Sequence, residues 1–470
     1  MERFLMFRHE PDRLLAINED GKRLFYRDLE ESTAQLSQWA GSGKLLFLLC
    51  ENTPGTLLGY LGCLRAGLVP LLLDAHMDDA LFTQLLDCYH PSFVYAPSDC
   101  PLVEKMGQPV GSIWDSALFA TGREGPALHP DLALLLTTSG STGSPKLVRL
   151  SETNLDSNAR SIAQYLELNE DERPITCLPM SYSYGMSIVN SHALVGAPIL
   201  LTRKGLLERG FWDFAAKEGA TSLAGVPYTY EMYRRIGLQE MDLPALKTVT
   251  QAGGKLPLSL HQSFANWAEK TGRNFFVMYG QTEAAPRMGY LPARRAVEKC
   301  GSMGIPIPGG SFQLLDVQDQ VIHESDTVGE LVYRGPNVAM GYAQQAEDLV
   351  LGDEWRGVLH TGDMAERDAD GFYYIVGRKK RFLKLYGNRV NLDELERMLA
   401  EPFPGVGFAC TGQDDDLRIF SDLKDEALAE QAEDYLAQRT NLPRKLFHVT
   451  IIEAIPKNES GKTLYSRLPH

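Results

Sequence analysis

Between Lys44 and Asp74 the chain reads KLLFLLC, then ENTPGTLLGYLGCLRAGL, then VPLLLD. The outer two runs are apolar at nearly every position, and a strand with one face in water would alternate instead; both are therefore strands buried on both faces. The segment between them predicts a helix. Thr53 stands where an N-cap belongs, Pro54 takes the first helical position, and Gly67 supplies the stop. Leu57, Tyr60, Leu61 and Leu64 fall at i, i+3, i+4 and i+7, one face of that helix. A strand, a helix and a second strand in succession make a parallel pair, which requires a sheet covered by helices.

The same rhythm recurs in LALLLTT followed by a helix from Ser151, in APILLT and in ALKTVTQAGG, so most of the first 330 residues reads as α/β with parallel strands. From about Gly301 the texture changes to short strands and Gly/Pro turns (GSMGIPIPGG, FQLLDVQDQV, GELVYRGP), with Asp370 and Gly371 forming a hairpin turn between tyrosine-rich strands. Past Lys380, LDELERML and DEALAEQAEDYLAQRT are amphipathic helices, separated by strand-like VGFACTG and LRIFSDL and followed by FHVTIIEAI. The expected fold class is α/β. A large N-terminal domain (1–379) of parallel-rich α/β sheets carries a small β-rich subdomain at about 301–379, and a small mobile α+β domain takes 380–470.

Charge and cysteine content exclude several functions. With 46 Lys and Arg against 61 Asp and Glu, the net charge of −15 repels a nucleic acid backbone. The seven cysteines (Cys50, Cys63, Cys88, Cys100, Cys177, Cys300, Cys410) show no CxxC spacing, so they are expected as reduced, buried thiols rather than zinc ligands or disulfides. No stretch of about 18 apolar residues runs uninterrupted, so neither a membrane span nor a membrane partner is expected, and the cytoplasm is the default location.

After the buried run LALLL comes TTSGSTGSPKLVRLS, from Thr137 to Ser151, which packs hydroxyls, glycines and Lys146 into one turn. Successive N–H groups in such a turn form an anion nest, and Lys146 adds a positive charge. The spacing departs from GxxxxGK[ST], because Ser144 and Pro145 intervene before the lysine, so a P-loop NTPase or kinase is a weak match. On these residues alone, a phosphate cradle and a plain polar connection both remain open.

TSGSTGSPK resembles the phosphate loop of the adenylate-forming superfamily: acyl-CoA synthetases, aryl-acid ligases, adenylation domains of peptide synthetases and luciferases. Further segments resemble that family's signatures in the family's order: AGVPYTYEMYRR, QAGGKLP, YGQTE, GELVYRGPNVAMGY, LHTGDMAERDADGFYYIVGRKKRFLKLYGNRVNLDELE and IPKNESGK. The resemblance runs from Tyr26 to the end. It implies ATP-dependent activation of a carboxylic acid to an acyl-adenylate with release of pyrophosphate, then transfer to the thiol of CoA or of a carrier protein's phosphopantetheine. It further implies that Thr138, Ser139, Gly140, Ser141, Thr142, Gly143 and Lys146 hold the β- and γ-phosphates, and that Glu283 binds Mg²⁺. Thr282 would donate to the α-phosphate. Tyr279 and Gly280, with Gly253 and Gly254, would meet adenine, Asp363 would accept from the ribose hydroxyls, and Arg378 would help fix ribose or phosphate. Lys462 would be the catalytic cation, Lys380 the hinge, and Gly387 part of the thioester-forming segment.

LPMSYSYGMS (178–187) resembles the acid-binding segment. Where amino-acid-activating members place an aspartate, Ser183 stands, which would leave a substrate ammonium unpaired and buried. Tyr182 takes the position of the family's His or aromatic gate. With Tyr184, Ser187, Tyr228, Thr250, Ala252, Met278, Pro286 and Arg287 these residues form the expected pocket; Tyr184, Tyr228 and Met278 suggest a flat, mostly apolar acyl group, and Ser183 could meet a hydroxyl. Arg287 is expected to turn to solvent rather than to meet a second acid group. An aromatic acid is the first expectation, a medium-chain acid the second, and an amino acid the remaining alternative. Arg444 and Lys445 could meet CoA phosphates or an acidic carrier, and any carrier would be a separate protein. A kinase or NTPase and a non-catalytic nucleotide binder are the competing classes.

Overall fold

A computed structural model of the chain describes residues 9–137, 146–385, 388–413, 416–440, 442–457 and 463–469. Its contacts fall into two units. The first takes the described residues up to 312 together with 333–359; the second takes 313–332 and the described residues from 360 onward.

The first unit is built on an eight-stranded sheet. Its strands run, in spatial order, Gly341–Ala343, Leu147–Ser151, Leu132–Thr137, Val69–Asp74, Leu45–Cys50, Phe93–Pro97, Ser116–Ala120 and Gly111–Ile113. Leu45–Cys50 is buried at every position and lies parallel to both neighbours, paired Leu45 to Val69 through Cys50 to Asp74 on one side. The intervening helix spans Pro54–Arg65, the Thr53 side chain accepts from the Thr56 N–H, and Gly67 adopts a left-handed φ of 68°. Apolar side chains then fill both faces of the sheet. Leu46, Leu48, Leu57 and Leu134 pack on one side, and Phe47, Leu49, Phe82 and Leu135 on the other.

One sequence expectation is refined here, and one strand is added. The sheet is parallel only at its centre: Leu132–Thr137 pairs antiparallel with Leu147–Ser151, and Phe93–Pro97 with Ser116–Ala120. Residues 138–146 are too few for a crossover, so the chain can only turn back. KLVRLS also forms a strand before the helix Glu152–Tyr165 begins, with Ser151 as its N-cap.

The same unit contains a five-stranded sheet in the order Ser222–Gly225, Thr248–Gln251, Asn274–Gly280, Arg287–Leu291, Ile305–Pro306. The first three are parallel and the fourth turns back antiparallel. A three-stranded sheet orders Ile199–Leu201, Leu14–Asn18 and Arg23–Phe25.

The second unit holds most of a four-stranded sheet ordered Ser311–Leu315, Gly329–Arg334, Val358–Arg367, Tyr373–Arg378. The last two strands form the expected hairpin. Asp368 accepts from the N–H groups of Asp370 and Phe372, and Gly371 has φ 85°. Beyond it lie the strand pair Phe382–Leu385 and Asn388–Asn391, the helices Leu392–Ala400 and Glu426–Thr440, and the sheet Phe408–Gln413, Asp416–Ser421, Val449–Ile451. Leu383, Leu395, Leu399, Ile419, Leu436 and Val449 form their shared core. All seven cysteines are free, and burial raises the pKa of each thiol, so none is poised as a nucleophile. Among the described residues no helix is long and apolar enough to cross a membrane.

Candidate active site

In the first unit, strands Asn274–Gly280 and Arg287–Leu291 are joined by a tight turn carrying QTEAAP. Gln281 N–H donates to the Pro286 carbonyl at 3.0 Å, and a Cβ on Gly280 would lie 2.0 Å from that oxygen, so only glycine fits. Thr282, Glu283 and Ala284 form one 3₁₀ turn. It is fastened from outside. Ala339 N–H donates to the Glu283 carbonyl at 2.9 Å, and Asn337 donates to the carbonyls of Ala284 and Arg287 at 2.7 and 2.8 Å.

The Glu283 carboxylate accepts from the Tyr342 hydroxyl at 2.7 Å, and Lys146 Nζ sits 3.2 Å from the centroid of the Tyr342 ring. An acid, a phenol and an ammonium thus share one spot at the start of the strand Leu147–Ser151. Tyr342 is itself positioned by Trp355, edge to face at 4.7 Å, and by the buried Arg149, which donates to its carbonyl at 3.1 Å. Arg149 also donates to the carbonyls of Leu351 and Gly352 and pairs with Glu354. Neither Tyr342 nor Arg149 was singled out from the sequence: each matters through a partner some 200 residues away, which no local pattern records.

The acid-binding segment forms helix Ser183–Val195 and meets this turn. Ser183 Oγ and Thr282 Oγ1 lie 3.4 Å apart. Behind them a cavity of about 550 Å³, its mouth included, opens between helices Glu152–Tyr165 and Ser183–Val195 and the five-stranded sheet. Tyr184, Ser187, Thr250, Met278 and Arg287 line it, as do Tyr165, Ile188, Glu172 and His192. The Tyr184 hydroxyl bonds Thr250 Oγ1 at 2.7 Å, and Ser187 donates to the Tyr184 carbonyl at 2.7 Å.

Arg287 departs from expectation. Its side chain does not turn to solvent; the residue is 3% exposed, with the guanidinium 3.9 Å from the Tyr184 ring centroid. His192 was also missed. Its Nδ1–H donates to the Ile188 carbonyl at 2.8 Å, leaving Nε2 an acceptor without a partner among the described residues, and burial lowers its pKa to about 4.

The remaining residues distribute as follows. Tyr182, Ser183, Tyr228 and Ala252 are not among the lining of this cavity, and Tyr228 is 50% exposed. Tyr182 instead faces Gly253, whose φ of 85° admits it: a Cβ there would lie 2.6 Å from the Tyr182 hydroxyl. The buried Gln251 donates to the carbonyls of Ala252 and Gly254, fixing that glycine pair. Tyr279 stacks edge-on with Phe312 at 6.2 Å.

In the second unit, Asp363 and Arg378 sit opposite each other on adjacent strands, Arg378 Nε 2.7 Å from the Asp363 carboxylate. Lys379 pairs with Glu330 at 2.6 Å. Arg381 is held by Asp393 and Glu396, both at 2.6 Å, and donates to the Cys410 carbonyl. Lys380, between them, is exposed. Arg444 pairs with Glu433 and Asp434 and stays half exposed. Thr138 through Gly143, Gly387 and Lys462 lie outside the described residues.

Residues 6–343 match the family described as AMP-binding enzyme. The chain belongs to the AMP-binding enzyme family. Among curated relatives of this AMP-binding enzyme, a feruloyl-CoA synthase from Amycolatopsis sp is 28% identical, covering 83% of this chain and 80% of that protein. An indoleacetate–CoA ligase from Aromatoleum aromaticum is 31% identical, covering 74% and 71%. O-succinylbenzoate coenzyme A synthetase from Bacillus subtilis, solved with AMP, superposes with a TM-score of 0.80 at 21% identity, covering 100% of this chain and 98% of that one; solved with ATP and a magnesium ion it gives 0.79. The chain is an enzyme, an AMP-forming acid–thiol ligase that activates a carboxylic acid with ATP and transfers it to a thiol.

Proposed function

We propose that this ligase activates an aromatic carboxylic acid and passes it to coenzyme A. The observation that carries the reading is the contact between Ser183 and Thr282, which ties the helix whose Tyr184 and Ser187 line the acid cavity to the turn bearing Glu283. A carboxylate at the cavity mouth would attack the α-phosphorus of ATP there. The new bond is acyl oxygen to phosphorus, and the α–β phosphoanhydride breaks, so pyrophosphate leaves with its electron pair. The thiolate of coenzyme A would then attack the acyl carbon and expel AMP. The relatives named for feruloyl and indoleacetate favour an aromatic acyl group, as do the rings of Tyr165 and Tyr184 in the cavity wall.

Glu283 fits a magnesium site. It is a carboxylate held by a phenol, with a further oxygen that takes no bond among the described residues, and magnesium takes few protein carboxylates and keeps several waters. When bound, the ion would neutralise phosphate charge. Lys146 would meet the β- and γ-phosphates with Thr138, Ser139, Gly140, Ser141, Thr142 and Gly143. Thr282 would donate to the α-phosphate, Tyr279, Gly280, Gly253 and Gly254 would meet the purine, and Asp363 with Arg378 would hold the ribose. Lys462 would stabilise charge growing on the α-phosphoryl oxygens. Lys380, flanked by the anchored Lys379 and Arg381, has the freedom a hinge needs, and Gly387 would serve thioester formation. A reducing cytoplasm suits the seven free thiols.

Acid-dependent exchange of pyrophosphate into ATP across a panel of aromatic, aliphatic and amino acids tests the reading. Exchange strongest with aromatic acids, and AMP rather than ADP as product with coenzyme A, is the expected result. ADP formation, or exchange strongest with amino acids, overturns it; acyl transfer only to a carrier's phosphopantetheine would replace coenzyme A as acceptor.

A further inference from the structure

Arg287 raises a question that acid activation by itself leaves open. It is nine-tenths and more buried, it lines the cavity, and no ion pair ties it to a carboxylate among the described residues. Its surroundings are phenolic: it lies over the Tyr184 ring at 3.9 Å and acts electrostatically on Tyr165 and Tyr182. Glu172 also lines the cavity, but it is committed to Lys247 at 3.5 Å and to the Thr221 hydroxyl at 2.5 Å. A buried guanidinium without a counter-ion is costly, and an aromatic face offsets only part of that cost. The main chain beneath it is rigid. Arg287 N–H donates to Asn158, and its carbonyl accepts from both Asn158 and Asn337.

Resting on the acid-ligase reading, we infer that the substrate is an acid with a second anionic group, which enters the cavity and pairs with Arg287 while the first carboxylate is activated. The planar fork of arginine matches a carboxylate through two parallel hydrogen bonds, a match lysine does not reproduce. A hydrogen bond to a charged partner gives a preference of roughly 10- to 150-fold.

The test compares terephthalate with benzoate, and adipate with hexanoate, on the full-length wild type, Arg287→Met and Arg287→Lys. Pyrophosphate exchange gives kcat/KM, and calorimetric titration in the presence of α,β-methylene-ATP gives Kd without turnover. In the wild type the diacid of each pair is expected to be favoured at least about tenfold in both readouts, within the range given above. Arg287→Met brings the ratio close to one, and Arg287→Lys keeps part of it. Equal preference in the wild type overturns the inference, as does failure to bind either acid. An equal loss for mono- and diacids in Arg287→Met also overturns it, since that assigns Arg287 to the reacting carboxylate. If no acid supports exchange while the binding preference persists, the ligase reading falls and the anion site stands.

Discussion

Tyr342 is a phenol whose hydroxyl serves a carboxylate and whose ring serves an ammonium, and one substitution separates the two jobs. Tyr342→Phe keeps the ring under Lys146 and removes the donor to Glu283. A hydrogen bond to a charged group contributes about 1.5–3 kcal/mol, so the magnesium concentration at half-maximal exchange should rise roughly tenfold or more. An unchanged magnesium requirement would separate Glu283 from the metal. His192 gives a second handle. Burial holds its pKa near 4, against about 6.5 in the unfolded chain, so the unfolded chain takes up the proton first as pH falls. Stability is therefore complete above pH 6.5 and is lost between 6.5 and 4, by roughly 3 kcal/mol at the lower end. Urea unfolding followed against pH should show this slope in the wild type and a flatter one in His192→Gln.

At the scale of elements, the strand Leu147–Ser151 joins the nest loop to the short strand Gly341–Ala343, paired Arg149 to Gly341 and Val148 to Tyr342. Arg149 makes that pairing rigid by spanning three carbonyls and Glu354. Arg149→Met would remove the donors those part-buried carbonyls share. Because Glu354 is half exposed, the ion pair itself adds little, and the expected loss is about 3 kcal/mol, read from the urea midpoint of the first unit. The period of the apolar residues had made most elements readable: KLLFLLC, the helix after Thr53, TVTQ and both C-terminal helices lie where their patterns put them. KLVRLS escaped notice because its burial depends on Gly341–Ala343, nearly two hundred residues on. For the same reason Arg287 reads as a surface cation until the tyrosines of two helices close around it. Motif spacing could point to Glu283 and Asp363, whose proposed roles lie toward ligands, and could not find Gln251, Asn337 or Arg149, which act through other parts of the fold.

At the scale of the whole molecule, the roles proposed for Lys462 and Gly387 put the two half-reactions in different segments past residue 380. On the proposed role, Lys462→Ala would remove a cation needed only while charge builds on phosphorus. Adenylate formation should fall at least about a hundredfold, and thioester formation from preformed acyl-adenylate should stay within a few-fold of wild type. Single-turnover assays of each half-reaction measure both, and an equal loss in the two would remove the division of labour. The turn that carries Glu283 offers a different lesson. Its carbonyls at Ala284 and Arg287 are gripped by Asn337, and Arg287 is gripped again by Asn158, so the main chain of the turn does not depend on which side chain stands at 287. Taste and power are thereby uncoupled: a lineage could exchange one diet of acids for another at that position while the machinery that spends ATP, four residues upstream, keeps its shape.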